Sequence, residues 1–272
     1  MVRTVKEIRA LLLAAGLGTR LRPLTEMWPK CLMPIGKRPL LEYWLASMRQ
    51  LNIDDVLVNV HYRSTDVIDF LSRPRFLNWI TYTEESHLLG TAGTIRANQD
   101  FVGDASCFLV HSDNWCCCDF QAFLDYHRCN RPMNTSITMM TFTSEDPQSC
   151  GIIETDERGV VIRFHEKVKK PPGNKANAAV YLIEPEVIEW INKNKNVTDF
   201  STEVIPAFIG KIATWHNDSI HRDIGTIDSL LKAQLDNKPS LPWPDKDEWQ
   251  ISFDAHNIHR MIGDAKIAKQ IS

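Results

Sequence analysis

An α/β architecture is predicted for this 272-residue chain: a mixed, mostly parallel, twisted sheet with helices on both faces. Three observations predict it. Strand-like and helix-like patterns alternate through the first half. The opening apolar run, "IRALLLAA", leads into a small-residue turn containing Gly16 and Gly18. The loop that follows carries Arg20, Arg22 and Lys30, and sheets of this kind bind ligands at the carboxyl ends of their strands.

The elements follow in order. "IRALLLAA" reads as a buried strand, and 39–52 places Leu41, Trp44, Leu45 and Met48 at helical spacing. Residues 55–60 form a second strand, and 64–72 a helix opened by a Ser or Thr cap. Strands at 79–83 and 106–112 flank a helix over 93–101. A helix over 119–129 leads to a strand at 135–142. The texture changes near residue 150. "GIIETDERGVVIRFHEK" reads as a hairpin turning at Glu157–Gly159, with Asp156 nearby. A loop at 169–175, a strand at 178–183 and a helix at 184–194 follow. Residues 201–210 suggest a helix limited or kinked by Pro206. "KIATWH" is a strand and 226–237 a helix, and this second half reads as an elaboration of the same sheet. Residues 239–272 form a tail, "LPWPDKDEW" and then an indistinct helix, whose role is not readable.

Composition bounds the function. A hydrophobic content of 43% and a charged content of 24% are ordinary for a globular protein. The net charge of −3 gives no global field that would favour nucleic acid or an anionic membrane. The charge is uneven, however. Residues 1–39 hold eight basic side chains against Glu7 and Glu26, which leaves them at +6 and the remainder at −9. Such a cluster suits a small polyanion, although Arg3, Lys6, Lys37 and Arg38 read as solvated surface charges. No apolar run approaches the roughly 20 residues of a membrane span. The seven cysteines are odd in number, no secretory leader is visible, and no pair has zinc-finger spacing, so reduced thiols in a cytoplasmic protein are expected. The run Cys116–Cys118 reads as structural or incidental.

The opening loop carries the chemistry. Gly16 and Gly18 let the backbone approach a ligand and turn successive N–H groups into one concavity. Arg20 supplies a planar fork for two phosphate oxygens. Pro23 and Pro29 stiffen the chain that returns Lys30, a movable point charge. Two cations and a nest of amides are what a triphosphate needs. A dinucleotide fingerprint would require glycine at position 21, where Leu21 stands, and the phosphate-binding Gly-x-x-x-x-Gly-Lys-Ser/Thr pattern is absent. No ribose-binding acid ends the second strand, so a dinucleotide-dependent oxidoreductase is disfavoured.

"AAGLGTRLRPLTEMWPKCLMPIGKRPLLEYWL" closely resembles the signature of the sugar-phosphate nucleotidylyltransferases, with Cys31 replacing a usual proline. Further matching segments follow in family order. They are "EESHLLGTAGTI" (84–95), "LVHSDNW" with Ser112 for glycine, "FHEKV" with Val168 for proline, "NAAVYLIEPEV" with Ala179 for glycine, and "HRDIGTIDSLL" with Ile227 for proline. The resemblance covers about residues 8–236. It implies a Rossmann-like nucleotide-diphospho-sugar transferase fold. It also implies a catalytic domain over 1–238, with about 1–150 as the nucleotide-binding half and about 151–238 as the sugar-phosphate-binding half.

The implied activity joins a nucleoside triphosphate to a sugar 1-phosphate and releases pyrophosphate. By this resemblance Asp113 and Asp223 hold Mg²⁺, Arg20 and Lys30 grip the β- and γ-phosphates, and Lys167 holds the sugar 1-phosphate. The nucleotide would lie against Leu13, Ala14, Ala15, Gly16, Gly18 and Thr19. The base would lie along Gly90, Thr91 and Ala92, read by Glu84 or Glu85. Glu166 and Asn177 would meet sugar hydroxyls, beside the backbone of Gly151, with Thr202 either a further contact or a helix-capping residue. The Leu-Gly-Thr-Ala-Gly form is similar to that of guanylyltransferases acting on mannose 1-phosphate. "SDNWCCCDF" is similar to a segment of N-acetylmuramate 1-phosphate uridylyltransferases, so a uridylyl- or thymidylyltransferase remains an alternative. So does a non-catalytic nucleotide-sugar-binding relative, against which all five catalytic residues are present. No nucleic acid or membrane partner is expected, and homo-oligomerisation stays open.

Overall fold

The computed structural model describes residues 6–244 and 246–271, with side chains as far as Ile267. Arg3, among the expected surface charges, lies outside the described residues. In chain order the first elements are β1 (Ile8–Leu13), α1 (Leu24–Met27), β2 (Pro34–Ile35), β3 (Arg38–Pro39), α2 (Leu40–Gln50), β4 (Val56–Val60), α3 (Ser64–Leu71) and β5 (Ile80–Glu84). Next come α4 (Thr91–Ala97), α5 (Gln99–Val102), β6 (Ser106–His111), β7 (Asn114–Cys117), α6 (Phe120–Asp125), β8 (Ile137–Thr143), β9 (Gly151–Thr155) and β10 (Val161–Glu166). The chain continues through β11 (Lys175–Ile183), α7 (Pro185–Lys193), α8 (Ile205–Ala207), β12 (Ile212–His216) and β13 (Ile220–Asp223). It ends with α9 (Ile227–Leu235), α10 (Glu248–Asp254) and α11 (Ile258–Ile271).

Two compact units result, and neither is a continuous stretch of chain. Among the described residues, one comprises 6–11, 88–110 and 118–219; the other comprises 12–87, 111–117, 220–244 and 246–271. Strands distant in sequence pair, so each unit gathers separate segments of the chain.

In the first unit β11 runs antiparallel to β6, β8 and β9, and β9 forms a hairpin with β10. The hairpin turns where the sequence placed it. Asp156 Oδ1 accepts the N–H groups of Arg158 (3.0 Å) and Val160 (2.9 Å), and Gly159 takes φ +76°. β8 also pairs in parallel with β12. Phe123 of α6 packs on Phe108 of β6 at 5.8 Å and on Trp215 of β12 at 5.4 Å, so an apolar helix face covers the sheet.

In the second unit β4 and β5 run parallel, and β7 pairs antiparallel with β13. β1 is shared: Ile8–Leu11 belong to the first unit and Leu12–Leu13 to the second. It runs in step with β6, since Ser106 N–H bonds Glu7 C=O in the first unit and Ser112 N–H bonds Leu13 C=O in the second. The mixed α/β sheet is therefore parallel through these strands, with its antiparallel part around β11.

Several local expectations shift. Arg63, at φ +50°, takes the cap position of α3 with no side-chain cap bond, and Ser64 is already helical. The helix over 93–101 breaks at Asn98 into α4 and α5. The helix expected over 201–210 is a π turn, Phe200–Val204, followed by the single turn of α8, because Pro206 cannot propagate it. The tail holds two helices, not one. The stretch before α10 packs within the second unit: Trp243 Nε1 donates to the fully buried Glu42 (2.7 Å), which also receives Arg38, Arg73 and Arg75 at 3.2–3.4 Å. Among the described residues no helix is long and apolar enough to cross a membrane.

Candidate active site

The second unit gathers four of the five expected catalytic residues. Gly18 turns the chain at φ +62°, a left-handed conformation that suits glycine, and a Cβ there would sit 2.8 Å from Thr25 Cγ2 and 3.1 Å from Lys30 Cβ. Thr25 Oγ1 donates to Gly18 C=O (3.0 Å), and Tyr62 Oη donates to Thr25 C=O (3.0 Å). The loop is thus closed on itself while Gly16, Thr19 and Arg20 stay exposed. Leu13 ends β1, Ala14 and Ala15 continue from it, and Ala14 N–H donates to Asn59 Oδ1 (2.8 Å).

Asp113 and Asp223 are brought together by a two-stranded ribbon. Asp113 immediately precedes β7 and Asp223 ends β13, where it pairs in register with Asn114. Ser112 fixes the approach, its Oγ donating to Leu13 C=O (2.7 Å). Lys30 Nζ then bridges the two carboxylates, 2.7 Å from Asp113 Oδ2 and 2.7 Å from Asp223 Oδ1. Arg20 Nη2 reaches Asp223 Oδ2, also at 2.7 Å. Lys30 has only 7% of its side chain exposed. Burial alone would lower its pKa, but Asp113 and Asp223 outweigh burial and hold it above the ordinary value. Burial likewise opposes ionisation of Asp223, and Lys30 and Arg20 more than offset it, so its pKa is lowered. Burial dominates at His221, two residues before Asp223 on β13, and brings its pKa down to about 4 against the pull of both carboxylates. The imidazole is therefore neutral at pH 7.

Two carboxylates converging on one cation form a donor set that fits a hard divalent ion, with Lys30's ammonium as the stand-in. Among the described residues no group of three or more His, Cys, Asp or Glu side chains could hold a metal unaided. A divalent ion here would thus draw its other ligands from substrate and water. Cys116, Cys117 and Cys118 form no disulfide among the described residues, and Cys116 and Cys117 lie on β7.

Glu84 stays exposed at the end of β5. Its neighbour Glu85 is buried and accepts from Asn59 Nδ2 (2.8 Å), which ties it through one amide to the start of the glycine loop.

The remaining expected residues fall in the first unit. Glu166 and Gly151 are directly paired across β10 and β9, and a Cβ at Gly151 would sit 2.8 Å from Glu166 Oε2 and 2.6 Å from Phe164 Cζ. Lys167 Nζ lies 3.3 Å from Glu166 Oε1 with most of its side chain exposed, so it is free to turn toward an anion. Asn177 donates to Tyr181 Oη (2.6 Å) and accepts from Ala179 N–H (3.0 Å) across a bulge in β11. Thr202 N–H and Oγ1 both bond Asp199 Oδ1 (2.8 Å), so it belongs to a cap in which Asp199 is the capping residue. Thr91 Oγ1 accepts Phe200 N–H (2.6 Å), Ala92 N–H bonds Thr198 C=O (2.9 Å), and Gly90 lies where a Cβ would be 2.4 Å from that same oxygen. This small-residue edge is thus fitted to the 198–200 turn.

Sequence reasoning missed Gly225, Asn59 and Tyr181 as site residues. Gly225 was signalled within "DIG", and Asn59 by a lone amide in an otherwise apolar strand.

A family model described as nucleotidyl transferase matches residues 9–239. The chain belongs to this family. Mannose-1-phosphate guanylyltransferase of Mycobacterium tuberculosis is 30% identical over 235 residues, which cover 85% of this chain and 64% of that protein. Mannose-1-phosphate guanyltransferase of Saccharomyces cerevisiae is 29% identical over 208 residues, covering 74% of this chain and 56% of that one. This nucleotidyl transferase family member thus spans less than two thirds of the length of these curated relatives. A solved structure from Bacillus anthracis, assigned as a glucose-1-phosphate thymidylyltransferase, superposes with a TM-score of 0.75. That superposition covers 86% of this chain and 98% of the other, and at 23% identity it bears on the fold alone.

Proposed function

We propose that the chain is a sugar-1-phosphate nucleotidylyltransferase. It joins GTP to mannose 1-phosphate, or a closely related sugar 1-phosphate, and releases pyrophosphate. The observation that carries this reading is the Lys30 bridge between Asp113 and Asp223, with Arg20 on the same carboxylate, at the end of the glycine loop of a nucleotidyl transferase. The choice of GTP and mannose 1-phosphate follows the names of the relatives.

In the proposed reaction an oxygen of the sugar phosphate attacks the α-phosphorus of the triphosphate. The bond from that phosphorus to the oxygen bridging toward the β-phosphorus breaks, and its electrons leave with pyrophosphate. No strong base is required, because a phosphate monoester is already anionic near neutral pH. The demand is electrostatic. Asp113 and Asp223 would hold Mg²⁺, which neutralises phosphate charge and orients the oxygens when bound. Arg20 and Lys30, held beside these carboxylates, would meet the β- and γ-phosphates and stabilise charge on the leaving group. The amides from Ala15 to Thr19 lie along the triphosphate. Lys167 takes the sugar phosphate, while Glu166 and Asn177 bond sugar hydroxyls.

Incubation with Mg²⁺, a panel of nucleoside triphosphates and a panel of sugar 1-phosphates tests the reading through pyrophosphate release. Release is expected only with both substrates present, and most rapidly for GTP with mannose 1-phosphate. Release with no pair would overturn nucleotidylyl transfer, and a preference for UTP or dTTP would overturn the choice of base.

A further inference from the structure

The stretch that carries Lys30 is held by residues beyond the family-matched segment, which ends at residue 239. Trp28 is the contact. It lies two residues before Lys30 and is 8% exposed. Its indole Nε1 donates to Leu32 C=O (2.8 Å), a bond that spans the turn around Lys30. The turn itself is closed by Leu32 N–H to Pro29 C=O (3.0 Å) and Met33 N–H to Lys30 C=O (3.1 Å). The Trp28 ring is covered by the C-terminal segment: His256 at 4.3 Å, Phe253 at 5.8 Å and Trp249 at 6.3 Å between centroids. The far end of the stretch is held by the same helix. Gln250 of α10 donates to Lys37 C=O (2.9 Å) and accepts from Arg38 Nη1 (3.1 Å).

This arrangement constrains a functional atom. Lys30 Nζ serves two carboxylates at 2.7 Å each, and a side chain so buried can move little independently of its backbone. A shift of the turn by about 1 Å would break one of the two bonds and misplace the cation for phosphate.

We infer that Trp28 is a positioning residue through which α10 and the turn that follows it fix the Lys30 ammonium for the triphosphate. The inference rests on the nucleotidylyl-transfer reading for the role of Lys30. If Trp28 only fills space, its replacement costs stability and acts on binding independently of Lys30. If it positions the ammonium, its effect passes through Lys30 and disappears with it.

A double-mutant cycle separates these cases. Dissociation constants for GTP, with UTP and dTTP in parallel, are measured calorimetrically on the full chain. Trp28→Phe keeps a ring against His256 but has no N–H for Leu32; His256→Ala removes the ring over Trp28, and His256→Phe restores it. Each is made alone and in a Lys30→Met background. Trp28→Phe is expected to weaken triphosphate binding about 5–10-fold and His256→Ala about 3-fold, with His256→Phe near wild type. In the Lys30→Met background all three should lie within about 2-fold of that variant. Equal fold-changes in both backgrounds, or unchanged affinity in the wild-type background, overturn the positioning role while the transfer reading stands. A wild-type chain that binds no triphosphate overturns the transfer reading and takes this inference with it.

Discussion

Single atoms decide the chemistry of the candidate site, and Gly225 shows how narrowly. A Cβ at this position would lie 2.6 Å from Arg20 Nη2 and 2.9 Å from Asp223 Oδ2, the two atoms that form the Arg20–Asp223 ion pair. Both neighbours are charged groups that the proposed reaction uses, so a methyl group is accommodated only by shifting that ion pair. The backbone of Gly225 is not in the left-handed region, so the fold itself tolerates alanine. Gly225→Ala is therefore expected to lower kcat/KM for pyrophosphate release by about tenfold or more, which is about 1.4 kcal/mol of transition-state stabilisation. Its thermal midpoint should stay within a few degrees of wild type. Activity equal to wild type would show that the Arg20–Asp223 contact has no part in turnover. The same proximity explains why this residue was not read as functional from sequence. Its contribution is the absence of a side chain, and only the three-dimensional closeness of Arg20, 203 residues away from Asp223, reveals it.

Elements differed in legibility for physical reasons. β1, β4 and β6 are apolar runs bounded by polar turns, and burial on both faces writes itself into such strands. The β9–β10 hairpin was legible because Asp156 and Gly159 supply the turn. The β7–β13 ribbon, which aligns Asp113 and Asp223, was not. "NWCC" and "IHRD" carry no clear alternation, and their pairing is a long-range event. The individual aspartates were singled out through motif resemblance and not through geometry. β11 adds a further case. The sequence has Ala179 where the family often has glycine, and the structure places it at φ +53° within the bulge between Asn177 and Tyr181. A Cβ in the left-handed region is strained, and the bulge is what turns Asn177 toward Tyr181. Ala179→Gly should relieve that strain, partly offset by the greater freedom of glycine in the unfolded chain. The expected gain is about 0.5–1 kcal/mol in urea unfolding, with the bulge retained. A loss of stability would show that the Ala179 methyl packs well enough to outweigh its backbone.

At the scale of the whole molecule, buried charge sets how stability responds to acid. Glu184 opens α7 and gathers Lys6 (3.1 Å), His127 (3.3 Å) and Arg131 within the first unit. Burial alone would raise its pKa; hydrogen bonds from His127 and Lys6 and the charge of Arg131 outweigh it and bring the carboxyl down to about 2. A depressed carboxylate stabilises the folded chain wherever it is ionised, so the contribution is complete above the unfolded value of 4.5. As pH falls below 4.5 the unfolded chain takes up this proton first, and the contribution is lost by about pH 2. Its full size is up to about 3 kcal/mol. Asp223 and Asp247 are also depressed, so the wild-type curve alone does not isolate Glu184. The difference between wild type and Glu184→Gln does. The variant should be less stable at pH 6 by a few kcal/mol, because Arg131 and His127 lose their carboxylate. That gap should close steadily between pH 4.5 and 2 in denaturant unfolding series. Parallel curves across this window would mean that the Glu184 carboxyl titrates alike in the folded and unfolded chains, and the acid sensitivity would then belong to other carboxylates.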